Sequence, residues 1–213
     1  MERGSREWLV PLTGVAFLIL AIVSFAIMGE PKDAEEPVNE IVDYYVDNKD
    51  AIQIASFFGA AASVLLLVYG AYLRKVLQAA APEGDILPLL SLIGLVIMVV
   101  GFAIDSTILF ATAEAAEDIE PTSVQTLQAL WDNDFIPIAT GILVFLWSTG
   151  ISVVRSGALP KWLGWVAILF GIVALTPIGF AAFVGTALWV VVTSILLSLR
   201  ARSAPATAAP PVA

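Results

Sequence analysis

The chain has 213 residues, of which 59% are hydrophobic and only 14% are charged, and its formal net charge is −9. A soluble domain is typically about a quarter charged, so this composition indicates a membrane protein. The sequence contains no Cys and no His, which excludes disulfides, thiolate chemistry, Cys/His zinc sites, His-ligated haem and histidine acid–base catalysis.

Six long apolar runs predict six transmembrane helices, because about 20 apolar residues cross a hydrocarbon core of about 30 Å. The predicted spans are residues 8–28, 51–73, 86–111, 135–154, 162–178 and 181–199. The fold class expected for residues 1–202 is therefore all-α, a single polytopic membrane helix bundle. Residues 203–213 are rich in Ala and Pro and are predicted to form a disordered cytoplasmic tail.

Three of these spans allow an alternative interpretation. Ser24 and Ala26 fit the −3 and −1 positions of a signal-peptide cleavage site. The first apolar run is longer than the roughly 7–15 residues of such a segment, so a retained helix is favoured. The fifth and sixth spans share a tight turn near Pro177 and Gly179. These two segments form either two full crossings or a re-entrant hairpin.

Two acidic loops follow the first and third predicted spans. Residues 29–50 hold eight Asp or Glu, and residues 112–134 hold six. In each loop apolar residues recur at helical spacing, at 38–46 and 124–131, which predicts a short amphipathic helix outside the membrane. An acidic polar face does not attract anionic lipid, so the first of these helices is interpreted as a lid packed on the bundle.

Small and polar residues share one face of the third predicted span, at steps of three or four residues. They are Ser91, Gly94, Met98, Gly101 and Asp105. The other faces carry Leu, Ile, Val and Phe, so this stripe is predicted to point into the bundle. The second span carries a pair of small residues four positions apart, at 59 and 63, of the kind that lets helix backbones approach closely.

The distribution of charge predicts the orientation of the chain in the membrane. Eight of the ten Lys and Arg lie at the two ends of the chain and in the loops around Arg74 and Arg155. Fourteen of the nineteen Asp and Glu lie in the two acidic loops. The positive-inside rule therefore places both termini in the cytoplasm. Acidic outer loops argue against a nucleic-acid partner, and they are either simply solvated or attract cations.

Three stretches together carry a resemblance to a known family. Residues 44–49 read YYVDNK, residues 127–135 read LQALWDNDF, and residues 159–165 read LPKWLGW after Arg155. This order resembles a large group of small bacterial six-span membrane proteins classed as a domain of unknown function. The resemblance implies the six-span fold and a bacterial inner membrane. It implies no activity, and no functional residues are carried over from it.

Asp105 is the only ionisable residue well inside a predicted span. Such residues are rare in membrane helices and are functional candidates by default. One interpretation is a relay for protons or cations. The other is a structural carboxylate that is satisfied by Ser106, Thr107 or Thr140, or that reaches outer water or Lys49.

A second polar cluster, formed by Asp132, Asn133 and Asp134, lies next to Trp131 where the fourth span begins. Carboxylate and amide oxygens are ligands from which a cation site can be built. Alternatively, the acids are placed there because a helix N-terminus favours negative charge.

Three tryptophans, Trp8, Trp162 and Trp165, are interpreted as interface anchors, since Trp is enriched at membrane–water boundaries. We expect a non-enzymatic membrane protein with a structural or partner-binding role, and no cofactor. The expected partners are the lipid bilayer and either a membrane protein or a second copy of the chain. The alternative is a small proton- or cation-coupled transporter that uses Asp105. An intramembrane enzyme would need two carboxylates that converge in the bundle.

Overall fold

The computed structural model describes residues 7–203, and within this range it contains helices and turns but no strand. A 3-10 helix, Glu7–Leu12, leads into the first of the α-helices. They are α1 Thr13–Met28, α2 Val38–Asp47, α3 Lys49–Ala80, α4 Leu87–Ala115, α5 Pro121–Asp132, α6 Ile136–Ser156, α7 Lys161–Val173 and α8 Gly179–Ser203. The all-α prediction is confirmed. Of the predicted tail, Ser203 ends α8, and residues 204–213 lie outside the described residues.

Five helical stretches are long and apolar enough to cross a membrane, which is compatible with a multi-pass membrane protein. They are Glu7–Met28, Lys49–Ala80, Leu87–Ala115, Pro121–Ser156 and Gly179–Ser203. The helix α7 has only 13 residues, which is about 20 Å at 1.5 Å per residue and less than the thickness of a bilayer core. It ends before Pro177, whose ring and missing N–H oppose continuation of a helix. The sixth span therefore stays a prediction.

The long helices pack in chain order around the bundle, and α8 returns to α1 to close it. Glycines set a close approach between α4 and α6. A Cβ atom on Gly94 would overlap the backbone of Phe145, and one on Gly141 would lie 2.5 Å from the backbone nitrogen of Met98. The four stripe residues of α4 that precede Asp105 are all buried. This burial confirms that the stripe points into the bundle.

The two ends of the bundle differ in charge. We call the end that carries the α3–α4 and α6–α7 turns the basic end, and the end that carries α2 and α5 the acidic end. At the basic end, the guanidinium of Arg202 lies 3.8 Å from the centroid of the Trp8 ring, a cation–π contact. Arg200 donates a hydrogen bond to the carbonyl oxygen of Ala158 at 2.6 Å. These contacts tie the two ends of the described chain to the bundle.

The middle of the bundle and its basic half are filled by buried side chains. The hydroxyls of Tyr69 and Thr193 are hydrogen-bonded at 2.5 Å, and the Trp189 indole donates to the carbonyl oxygen of Leu163 at 2.9 Å. The surrounding apolar side chains have no exposed surface: Leu66, Leu73, Leu77, Leu95, Leu146 and Val153. This half of the molecule is a closed core, in which the Ser152 hydroxyl is buried without a hydrogen-bond partner among the described residues.

At the acidic end, α2 and α5 pack against each other, and we call this pair the cap. They occupy the two loops in which short helices were predicted. α2 buries Ile41, Tyr44 and Tyr45, and α5 buries Gln128. The Tyr45 hydroxyl donates to Gln128 Oε1 at 2.6 Å, and the Tyr44 hydroxyl donates to the carbonyl oxygen of Met28 at 3.1 Å. The first bond joins the two cap helices, and the second fastens the cap to the end of α1.

Candidate functional site around Asp105

Asp105 lies deeper along its helix than the apolar run alone indicates. The prediction ended this span at residue 111, whereas α4 continues to Ala115. Ten residues therefore separate Asp105 from the end of α4, or about 15 Å along the helix axis. The side chain is partly exposed, and the exposed part lies between two clefts.

The first of these, the acidic-end cleft, lies where the α5–α6 turn meets the loop before α2. Its lining comprises Asp33, Ala34, Glu35, Asp105, Ala129, Trp131, Asp132, Asn133, Asp134, Phe135 and Ile138. Asp105 and the 132–134 cluster, predicted as separate features, therefore share one site. Five of the lining residues are Asp or Glu, and none is Lys or Arg.

Two members of the 132–134 cluster are held by hydrogen bonds within the fold. The Asp132 carboxylate accepts from the backbone N–H of Ala34 at 3.0 Å and from Gln128 Nε2 at 2.7 Å. The Asn133 amide donates to the carbonyl oxygen of Ala129 at 2.8 Å. Asp132 thus joins the loop before α2 to α5, and this structural role accounts for its position.

The third member, Asp134, is different. Its Oδ2 atom is buried and has no hydrogen-bond partner within residues 7–203. The negative charge of Asp134 repels the Asp105 carboxylate, whereas the indole N–H of Trp131 is a hydrogen-bond donor to that carboxylate. An unpaired buried polar group costs about 1–3 kcal/mol. The site therefore holds one buried acceptor, Asp134 Oδ2, that an occupant of the cleft can satisfy.

Two of the structural partners predicted for Asp105, Thr107 and Lys49, make other contacts. Thr107 donates to the carbonyl oxygen of Ala103 at 2.6 Å. The Lys49 ammonium lies 3.4 Å from the Glu114 carboxylate. The interpretation of Asp105 as a carboxylate satisfied by its own helix or by Lys49 therefore gains no support from these contacts.

Asp105 also lines a second cleft, the bundle cleft, enclosed by α1, α3, α4 and Phe183 of α8. Hydroxyl groups contribute to its lining, and they belong to Ser24, Ser56, Ser63 and Ser106. Ser24 donates to the carbonyl oxygen of Ala55 at 2.7 Å, and Ser56 donates to that of Ile52 at 2.9 Å. Asp105 is the one residue that belongs to both clefts, so it joins the acidic end to the bundle interior.

Phe102 and Phe183 lead from the bundle cleft into an apolar groove between α1 and α8, the phenylalanine groove, also lined by Phe17 and Phe25. The rings of Phe102 and Phe183 meet edge to face, with centroids 6.1 Å apart. Sequence reasoning missed these rings, because phenylalanines in apolar runs have the same pattern whether they face lipid or a cleft. Phe102 is three residues before Asp105, a spacing that signals a shared helix face.

No group of three or more Asp and Glu side chains in residues 7–203 is placed to hold a metal ion. The cation site considered for residues 132–134 therefore stays a prediction. Trp162 and Trp165 are 57% and 61% exposed at the start of α7, and Trp8 contacts Arg202. All three lie at the basic end, and their role as interface anchors also stays a prediction.

Comparisons of the chain with protein-family models, with curated proteins and with solved structures found no match. The function must therefore be argued from the geometry of the site.

Proposed function

We propose that this chain is a non-enzymatic, six-span protein of the bacterial inner membrane that binds another membrane component in its acidic half. Both termini are cytoplasmic in this proposal, because Lys and Arg concentrate at the basic end. The cap helices α2 and α5 are then amphipathic helices on the outer side. The apolar residues that follow α7 complete the fifth span, although α7 itself is short.

The observation that carries this proposal is the contrast between the two halves of the bundle. The basic half is closed around buried side chains, which include the hydrogen-bonded pairs Tyr69–Thr193 and Trp189–Leu163. The acidic half contains the two clefts that meet at Asp105, beside the buried and unpaired Asp134 Oδ2. Such an opening forfeits the close packing that would stabilise a purely structural bundle.

The two carboxylates near each other, Asp105 and Asp134, do not make this site catalytic in our proposal. Asp134 belongs to the α5–α6 turn at the acidic end, not to a span. The polar lining of the acidic-end cleft holds no Ser, Thr, Tyr, Lys or Arg to act as nucleophile or to stabilise developing negative charge. Binding is the simpler use of this arrangement.

Photo-crosslinking in native membranes tests the proposal. A photoreactive phenylalanine analogue at position 183 probes the clefts, and the same analogue at Leu169 of α7, 59% exposed and outside them, reports contact with bulk lipid. We expect a discrete adduct that is at least tenfold enriched at position 183. Identical adduct patterns at the two positions would contradict a bound component.

A second candidate is a small proton- or cation-coupled transporter, and it is favoured by the position of Asp105 in both clefts. The test is flux into liposomes under an imposed gradient. A transporter loses flux in Asp105→Asn and retains it in Asp118→Asn, which changes an exposed acid outside both clefts. Absence of flux in the wild-type protein would remove this candidate.

A further inference from the structure

We propose that the exposed face of α7 at the basic end binds the head group of an anionic phospholipid, with its phosphate at Lys161 and its ester region at Trp162 and Trp165. None of these residues lines the acidic-end cleft or the bundle cleft, so this lipid is separate from the component proposed for the acidic half. Three features of the basic end support the assignment: its charge, the exposure of Lys161 and the position of the two indoles.

The described part of the basic end carries more positive than negative charge. Its Lys and Arg are Arg74, Lys75, Arg155, Lys161, Arg200 and Arg202, whereas its Asp and Glu are Glu7, Glu83 and Asp85. Clusters of basic side chains at the ends of transmembrane helices attract anionic lipid head groups. The charge of this end is therefore complementary to a phospholipid with net negative charge, and less so to a zwitterionic one.

Four of these basic side chains have partners in the fold. They form the ion pairs Arg155–Asp85 at 3.9 Å and Lys75–Glu7 at 3.8 Å, and the contacts Arg200–Ala158 and Arg202–Trp8. Among residues 7–203, Arg74 and Lys161 form no ion pair. Both side chains are exposed, so each is accessible to a phosphate from outside the chain.

The helix α7 places Lys161 beside two indoles on its exposed side. Lys161, Trp162 and Trp165 are all exposed, and they lie within an arc of about 100° at 3.6 residues per turn. The opposite side of the helix packs against α6, where a Cβ atom on Gly164 would lie 2.8 Å from the carbonyl oxygen of Gly150. This close packing turns Lys161 and both indoles away from the bundle.

The order of chemical groups along this face matches that of a phospholipid. The ammonium is followed by two indoles, which favour the interfacial region because each joins an apolar ring to an N–H donor. Apolar side chains continue the face at Leu169 and Ile172, which are 59% and 51% exposed. Arg74 lacks such a setting, because the exposed residue one turn further along α3 is Gln78. We therefore place the head group at Lys161, while the acyl chains stay among bulk lipid.

Native mass spectrometry of the intact protein, released from nanodiscs of equal parts dioleoyl phosphatidylglycerol and dioleoyl phosphatidylcholine, tests this assignment. The two lipids share their acyl chains and differ in net charge, and both leaflets contain the same mixture, so the orientation of the chain does not matter. We expect about fivefold preferential retention of phosphatidylglycerol, the effect of one Lys near an anionic surface. Equal retention of the two lipids by the wild-type protein would overturn the proposal, and this result does not depend on any variant.

Variants then locate the head group. Lys161→Gln is expected to remove most of the preference for phosphatidylglycerol. Lys75→Gln, which removes the same charge from an exposed residue of α3 at the same end, is expected to retain it. Circular dichroism and size-exclusion profiles identify any variant that fails to fold. If the two folded variants show the same preference, the selectivity does not arise at Lys161, and the proposal is overturned.

A competition experiment distinguishes a lipid from a free phosphate ester. An excess of soluble glycerol phosphate is expected to leave the retained phosphatidylglycerol in place, because the ester lacks acyl chains that hold it at the membrane surface. Full displacement of the lipid would identify a site for free phosphate esters and overturn the lipid assignment. These results are independent of the adduct at position 183, which tests the acidic half alone.

Discussion

At the scale of single residues, two buried phenols make the cap sensitive to alkaline pH. Burial raises the pKa of the Tyr44 hydroxyl to about 12, and it raises the pKa of Tyr45 further, with the negative charge of Asp132 adding to the effect. An unfolded tyrosine has a pKa of about 10. The folded state holds these protons more tightly, so their stabilising contribution is complete below about pH 10 and is lost as the pH rises through about 12.

The first prediction is therefore that the cap loosens between about pH 10 and pH 12 while the closed basic half persists. Amide hydrogen exchange, corrected for intrinsic rates, should show α2 losing protection before the centre of α6. In Tyr44→Phe the loss of protection over this range should be shallower, because one titrating phenol is gone. If the protection of α2 falls equally steeply with pH in the variant and in the wild type, Tyr44 does not make the cap sensitive to pH.

Residue-level reasoning from the sequence identified Asp105 and the 132–134 cluster but not their relation. Spacing along a helix predicts which residues share its face, and it placed Asp105 on the inward stripe of α4. Which loop folds over which helix end depends on tertiary packing, and no periodicity encodes it. The hydrogen bond of Asp132 to Ala34 is of this kind, because it joins residues 98 positions apart.

At the scale of elements, the packing of α4 against α6 depends on glycines that have no room for a side chain. A methyl group on Gly94 would overlap the backbone of Phe145, which cannot move without shifting α6. We predict that Gly94→Ala destabilises the protein by about 2 kcal/mol, within the usual cost of overpacking. Unfolding of the purified protein by increasing mole fractions of sodium dodecyl sulfate, followed by circular dichroism, measures the change.

Gly59→Ala is the matched control, since a Cβ there meets Ser106 Oγ at 3.5 Å, an ordinary contact. Alanine has the higher helix propensity, so this variant should be neutral or more stable by up to about 1 kcal/mol. If Gly94→Ala is as stable as Gly59→Ala, the close approach of α4 and α6 is not a feature of the folded protein.

The contrast between these glycines shows that a pattern of small residues does not by itself predict which helix pair is in close contact. The small pair at 59 and 63 and the stripe on α4 have similar sequence signatures, but only the stripe lies at a backbone contact this close. Predicted spans also differed from helix ends. An apolar run predicts the part of a helix that lies in lipid, not the end of the helix. α3 continues to Ala80 through Arg74 and Lys75, because these residues are good helix formers in water.

At the scale of the whole molecule, the proposed topology can be tested by labelling single introduced cysteines, because the chain contains no cysteine of its own. Exposed positions mark the acidic end (Asp118), the α7–α8 turn (Thr176) and the basic end (Gln78). With six full spans and cytoplasmic termini, a membrane-impermeant maleimide applied to spheroplasts should label Asp118→Cys and Thr176→Cys. It should label Gln78→Cys only after permeabilisation.

The alternative arrangement gives a different pattern. In a re-entrant hairpin the α7–α8 turn lies within the membrane, so Thr176→Cys would escape labelling from outside while Asp118→Cys still reacts. External labelling of Gln78→Cys would instead reverse the proposed orientation.

The central claim is that the acidic half of the bundle holds a membrane component at Asp105. Native mass spectrometry of the gently extracted protein tests it most directly, by comparing the wild type with Asp105→Asn and Asp118→Asn. The account predicts a bound mass at about one per chain in the wild type and Asp118→Asn, and its loss in folded Asp105→Asn. Bare protein in all three samples, or the same bound mass in all three, would contradict the claim.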